Sequence, residues 1–170
     1  LRREKDPVNF APLVLSFEVA TLAVVLSGIS GLGVAALLSG WRSPVKDLID
    51  GIITAPLVLP PPVPGYYVLV LFGRTSGLGH LFETVTGVPI VFSTTGAVFA
   101  ATLGSFPLVV RSSGAALESV DGSLVRAART LGASPLRALL TVALPLAAPG
   151  IMAGLALGFA RALGDFGVTL

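Results

Sequence analysis

Cysteine is absent from the 170 residues, which excludes disulfides and thiolate metal sites. Charge is scarce: Asp, Glu, Lys and Arg together make up 12% of the chain and leave a net charge of only +2. The eleven basic residues are scattered and nowhere form a run long enough to track a phosphate backbone, so nucleic acid is not an expected partner. No GxxxxGK[ST] stretch occurs, so nothing in the chain cradles nucleotide phosphates. Histidine occurs once, at His80 between apolar runs, which leaves no imidazole inside them to activate a serine or bind a metal. Asp50 and Asp165 are too far apart to suggest an aspartyl dyad. These absences argue against an enzyme active in its own right, with no catalytic residue, metal or cofactor expected on this chain.

What the sequence has in excess is apolar length. It is 54% hydrophobic with a mean hydropathy of +0.91, well above what a soluble domain needs to fill its core. An all-α integral membrane protein is expected, in a lipid bilayer and crossing it several times. Four apolar stretches are long enough to cross, at about 13–38, 51–73, 89–110 and 146–165. The second holds Pro60, Pro61, Pro62 and Pro64 near its middle, where they remove donors and forbid a continuous helix. A kink repaired by neighbours and a break lining a cavity are both consistent with that cluster. Residues 74–88 read as a loop, and 111–137 as the longest polar interval.

Basic residues set the orientation. Arg42, Lys46, Arg111, Arg126, Arg129 and Arg137 fall on one side, against Arg74 and the N-terminal Arg2, Arg3 and Lys5 on the other. That bias puts 111–137 in the cytoplasm, beside Trp41 as an interfacial anchor; dominance of the N-terminal cluster would invert everything. Within the interval, Gly132 sits where a short helix needs a left-handed residue to stop, and Ser134-Pro135 reads as an N-cap with proline at the first helical position. The short helix before this hinge carries Leu124, Ala127, Ala128 and Leu131 on one side and Arg126, Arg129 and Thr130 on the other. Docking into a partner's groove suits such a short stripe better than burial in the chain's own core. Gly150, Gly154 and Gly158 recur every four residues and form a stripe for close helix packing. Glu18, and the pair Arg161 and Asp165, are charges near the ends of spans that read as interfacial rather than as substrate ligands.

These residues carry a family resemblance. The run RAARTLG from Arg126 to Gly132, followed by Leu144-Pro145, resembles the EAA loop of bacterial and archaeal ABC importer permeases. The segments LPPPVPGYYVLVLFGR, AVFAATLGSFPLVVR, AARTLGAS and FARALGDFGVTL resemble the molybdate-type permeases, close relatives of the sulfate importers. The resemblance implies a type I importer transmembrane domain in the cytoplasmic membrane of a bacterium or archaeon. It implies a second permease copy as partner, a cytoplasmic ATPase dimer that holds the ATP and Mg, and an extracytoplasmic oxyanion-binding protein. Leu124, Arg126, Ala127, Ala128, Arg129, Leu131, Gly132, Ala133, Leu144 and Pro145 would then couple to the ATPase. Pro60, Pro61, Pro62, Gly65, Ser105 and Pro107 would be candidate lining for the pathway. Two departures stand out: Arg126 occupies a position where the family often has glutamate, and Asp165 one where glutamate is commoner. Because members of the family continue into further spans, the chain reads as cut short at its C-terminus. The expected function is import of molybdate or tungstate by alternating access, with sulfate or thiosulfate as the second reading. A helical scaffold or channel without ATPase coupling is the alternative of another class.

Overall fold

The computed structural model describes residues 10–41, 43–58, 62–73, 76–87, 90 and 93–167; side chains at 62, 64, 65, 68, 86 and 165–167 are outside that description. Every element in the described residues is helical: α1 (Ala11–Ser39), α2 (Pro44–Val58), α3 (Pro62–Phe72), α4 (Gly77–Thr86), α5 (Thr94–Glu118), α6 (Gly122–Thr130), α7 (Pro135–Ala138) and α8 (Leu144–Gly167). A π-helical turn, Leu139–Ala143, joins α7 to α8, so that one helical run extends from Pro135. Among the described residues, two helices are long and apolar enough to cross a membrane, Ala11–Ser39 and Pro135–Gly164.

The core is a seam among α1, α5 and α8, and small residues build it. Val19, Ala20 and Ala23 of α1 meet Val98 and Ala101 of α5 and Ala162 of α8 at one end. Ala35, Ala116, Leu117, Ala143, Ala147 and Ile151 close the other. Such side chains let backbones approach closely, which in lipid replaces the missing hydrophobic drive between helices. Large apolar side chains point outward instead, among them Leu22, Leu26, Ile29 and Leu37 on α1 and Met152 and Leu157 on α8. In a chain made for lipid that inversion is expected, because the surrounding solvent is itself apolar.

The helices differ from the sequence reading in three places. The stretch read as 89–110 is a helix that starts at Thr94, capped by the Ser93 hydroxyl accepting from the Gly96 amide, and runs on to Glu118. It continues through the polar interval because Val109, Val110, Ser113, Ala116 and Leu117 keep one buried stripe at helical spacing. The last helical run begins at Pro135 rather than 146, since Arg137 and Thr141 are exposed while Ala138 and Ala143 stay buried. Residues 77–86, read as part of a loop, form α4, fixed by the Ser76 cap at one end and left-handed Gly87 (φ 72°) at the other. The stretch expected as the second span, 51–73, is covered by two helices, the later part of α2 and all of α3; Pro60 and Pro61, between them, lie outside the described residues.

Candidate functional site

The candidate site is built around α6. Asp121 caps its start: one carboxylate oxygen accepts from the Ser123 amide at 2.8 Å and the other from the Ser123 hydroxyl at 2.7 Å. Those two hydrogen bonds, with the Arg126 charge adding to them, hold the Asp121 carboxyl below its ordinary value. Gly132 ends the helix at φ 89°, with the Ala133 amide donating to the Ala128 carbonyl and the Gly132 amide to the Arg129 carbonyl. This is the paired hydrogen-bond pattern of a Schellman stop. Two residues later the Ser134 hydroxyl accepts from the Arg137 amide at 3.2 Å and Pro135 opens α7. Gly132 to Ser134 therefore forms a short joint with a defined stop and a defined restart.

The faces of α6 are not divided as the sequence spacing predicts. Val125, which the spacing overlooked, packs on the core cluster with Ala35 and Ala116, and Ala128 is half-buried. Leu124 is 47% exposed, Leu131 is 89% exposed, and Arg126, Ala127 and Arg129 are exposed with them. Gly132 is exposed, Ala133 and Leu144 are half-buried and Pro145 is exposed. The signal that could have found Val125 is its place three residues before Ala128, on the flank of the Leu124 and Ala127 stripe.

Beside α6 lies a groove of about 1130 Å³ whose walls include Trp41, Leu117, Val125, Arg126, Leu136 and Leu139. Lys46 and Glu118, on its margin, pair at 2.5 Å and tie the start of α2 to the end of α5. The Glu118 carboxylate holds the Lys46 ammonium above its ordinary value, against the opposing effect of burial. A smaller cavity of about 190 Å³ behind the pair is lined by Ser39, Asp50, Arg111 and Gly114.

Of the expected pathway residues, Ser105 and Pro107 have described side chains, both on α5. Ser105 is fully buried, donating to the Ala101 carbonyl at 2.8 Å and lying 3.3 Å from the Ser27 hydroxyl of α1; Pro107 is buried beside it in α5. Pro62 and Gly65 belong to α3, away from that seam in sequence, and their side-chain surroundings are outside the described residues, as is the Asp165 side chain. The glycine stripe faces α5 of the same chain. A Cβ on Gly150 would stand 2.6 Å from the Ala116 Cβ, one on Gly154 2.6 Å from the Ser112 Cβ, and one on Gly158 3.1 Å from the Val109 Cγ2.

Comparison with known proteins gives this geometry a context. Residues 12–170 match the family of binding-protein-dependent transport system inner membrane components. The chain is 47% identical over 165 residues to the molybdenum transport system permease protein of Escherichia coli K12, covering 97% of this chain and 72% of that protein. It is 46% identical over 163 residues to the corresponding protein of Haemophilus influenzae, covering 96% and 71%. A probable sulfate transport system permease of Chlorokybus atmophyticus is 35% identical over 162 residues, covering 95% of this chain and 56% of the relative.

Proposed function

Because the chain belongs to the family of binding-protein-dependent transport inner membrane components, we propose that it passes molybdate or tungstate across the cytoplasmic membrane by alternating access. Its greater identity to molybdenum permeases than to the sulfate permease supports that order of substrates, with sulfate or thiosulfate as the second reading. An extracytoplasmic binding protein delivers the oxyanion, a second permease copy completes the pathway, and a pair of cytoplasmic ATPases supplies the energy.

The observation that carries the coupling role is α6 itself. A firmly capped helix exposes Leu124, Leu131 and two arginines, and hands its position through Gly132 and Ser134 to the helix that runs from Pro135. In this reading α6 seats on the ATPase, and Leu144-Pro145 marks where its displacement enters the membrane. Four spans are assigned, with α1, the α2–α3 pair, α5 and α8 as their helices. Pro60, Pro61, Pro62 and Gly65 are candidate lining at the break between α2 and α3. Ser105 and Pro107 join the lining in a state that parts α1 from α5.

The test is uptake of labelled molybdate by proteoliposomes holding the permease, its ATPase and the binding protein. Excess tungstate should suppress uptake and excess sulfate should not; the opposite order moves the assignment to the second reading. Gly132→Leu forces a branched side chain into left-handed backbone, a cost of about 1–2 kcal/mol. ATP-driven uptake is expected to fall severalfold, because the strained joint no longer holds α6 in its seat, while the ATPase still co-purifies. Unchanged uptake and unchanged ATP turnover would remove the coupling role.

A further inference from the structure

The helix α4 has no part in the function above, and its construction is unusually firm for a ten-residue connection. The Ser76 hydroxyl donates to carbonyls at the end of α3, Leu71 at 2.6 Å and Gly73 at 2.8 Å, and accepts from the Gly79 amide at 2.9 Å. One side chain thus caps both helices. Gly79 makes the corner possible: a Cβ there would lie 2.3 Å from the Gly73 carbonyl oxygen and 2.5 Å from that of Phe72. The direction of α4 relative to α3 is therefore fixed, with the Gly79 side turned inward.

Its apolar face points elsewhere. Leu78, Leu81 and Val85, spaced by three and four, lie on one side and are 54%, 62% and 77% exposed. His80 and Thr84 lie on one flank of that face, Thr84 three residues beyond Leu81, and the Thr84 hydroxyl donates to the His80 carbonyl at 2.7 Å; Gly79 and Glu83 lie opposite. The end of α3 next to this corner packs on the start of α5 through Phe72 and Phe99, whose ring centroids are 5.2 Å apart. The helix α6 follows the other end of α5, so the two short helices lie at opposite ends of an element roughly 35 Å long, about the thickness of a bilayer.

We infer that α4 is an interfacial helix lying along the extracytoplasmic surface of the bilayer, with Leu78, Leu81 and Val85 inserted at the boundary of headgroups and acyl chains. Three facts select lipid over a protein partner. The preceding helix, α3, likewise exposes large apolar side chains, Tyr66, Leu69, Val70 and Leu71. Ten residues are too few to cross the membrane but enough to lie in it, apolar side down with His80 on the flank at the headgroup level. Three side chains also offer far less than the ~800 Å² per partner that a specific protein contact uses. The inference rests on the family's membrane embedding and, for the side, on the proposed orientation with α6 in the cytoplasm, but not on which anion is carried.

Absence of cysteine makes the test direct. Single cysteines at Leu81, Val85, His80 and Thr84, in the assembled complex in phosphatidylethanolamine–phosphatidylglycerol liposomes, are spin-labelled and their collisions with oxygen and with a water-soluble nickel chelate compared. The ratio of oxygen to nickel accessibility should be severalfold higher at 81 and 85 than at 80, with 84, next to Leu81 on the helix, in between. The chelate should reach His80 from the side opposite to a label at Arg129. Equal nickel access at Val85 and His80 overturns the proposal, and so does loss of oxygen access at Val85 only when the binding protein is added, which assigns the face to that protein. No ATP is involved, so failed uptake leaves this result readable, and a failed depth pattern leaves the transport reading intact.

Discussion

At the scale of single residues, the sharpest constraints are steric. Gly154 has its missing Cβ position 2.6 Å from the Ser112 Cβ, so Gly154→Val must push α8 off α5, at a cost in the range of about 1–3 kcal/mol for overpacking. Thermal unfolding in detergent should show that loss. Gly114→Ala on α5, with nothing within 4 Å of the new methyl, should be neutral or stabilise by up to about 1 kcal/mol through helix propensity. Asp121 supplies a titratable check on α6. Its carboxyl pKa is lowered by folding, so the cap contributes above the ordinary value of 3.8 and is lost as pH falls through the lower folded value. Protection of the Ser123 and Leu124 amides, taken relative to their intrinsic exchange rates, should fall in that acid range and stay constant around neutrality, whereas Asp121→Ala should remove it already at neutral pH. Gly132, Ser134 and Pro135 were legible in the sequence because caps and left-handed stops are local chemistry. Val125 was not, because its burial depends on where α1 and α5 end in space.

At the scale of elements, α5 is the organiser: α1, α8 and the start of α2 all lie against it. The Lys46–Glu118 pair joins α2 to it at the membrane boundary, where an exposed pair is worth about 0.2–1 kcal/mol. Folding raises the Lys46 pKa, so its contribution is fully present below the ordinary 10.5 and fades only as pH rises beyond that. Lys46→Met should therefore lower stability slightly and equally at any physiological pH, with the difference shrinking in high salt; a pH-dependent difference near neutrality would point to another partner. Long apolar runs announced α1 and the body of α8, since length and hydropathy identify them without tertiary context. The last two turns of α5 were hidden behind Arg111 and Glu118, which mask an unbroken inner stripe. Two glycines in ten residues disguised α4, whose caps matter more than its propensity. Whether the glycine stripe of α8 met its own chain or another was unreadable until α5 was seen against it.

At the scale of the whole molecule, three tightly packed helices surround a seam of alanine, serine and glycine and present bulky side chains to lipid. The orientation argument makes one further prediction: a single cysteine at Arg129 should react with an impermeant maleimide in inside-out vesicles and be protected in intact cells. Reaction from outside would invert every assignment of sides. The wide turn at Leu139–Ala143 bears on any such scanning. It holds one residue more than a regular helical turn, so the angular phase of the helix slips by about 100° between Pro135 and Leu144. A helical wheel drawn straight through 135–164 places Leu136 and Met152 on wrong relative bearings. Residues that look collinear on paper point to different compass directions in the bilayer, and periodicity in a mutational scan of this helix should reset at Leu144.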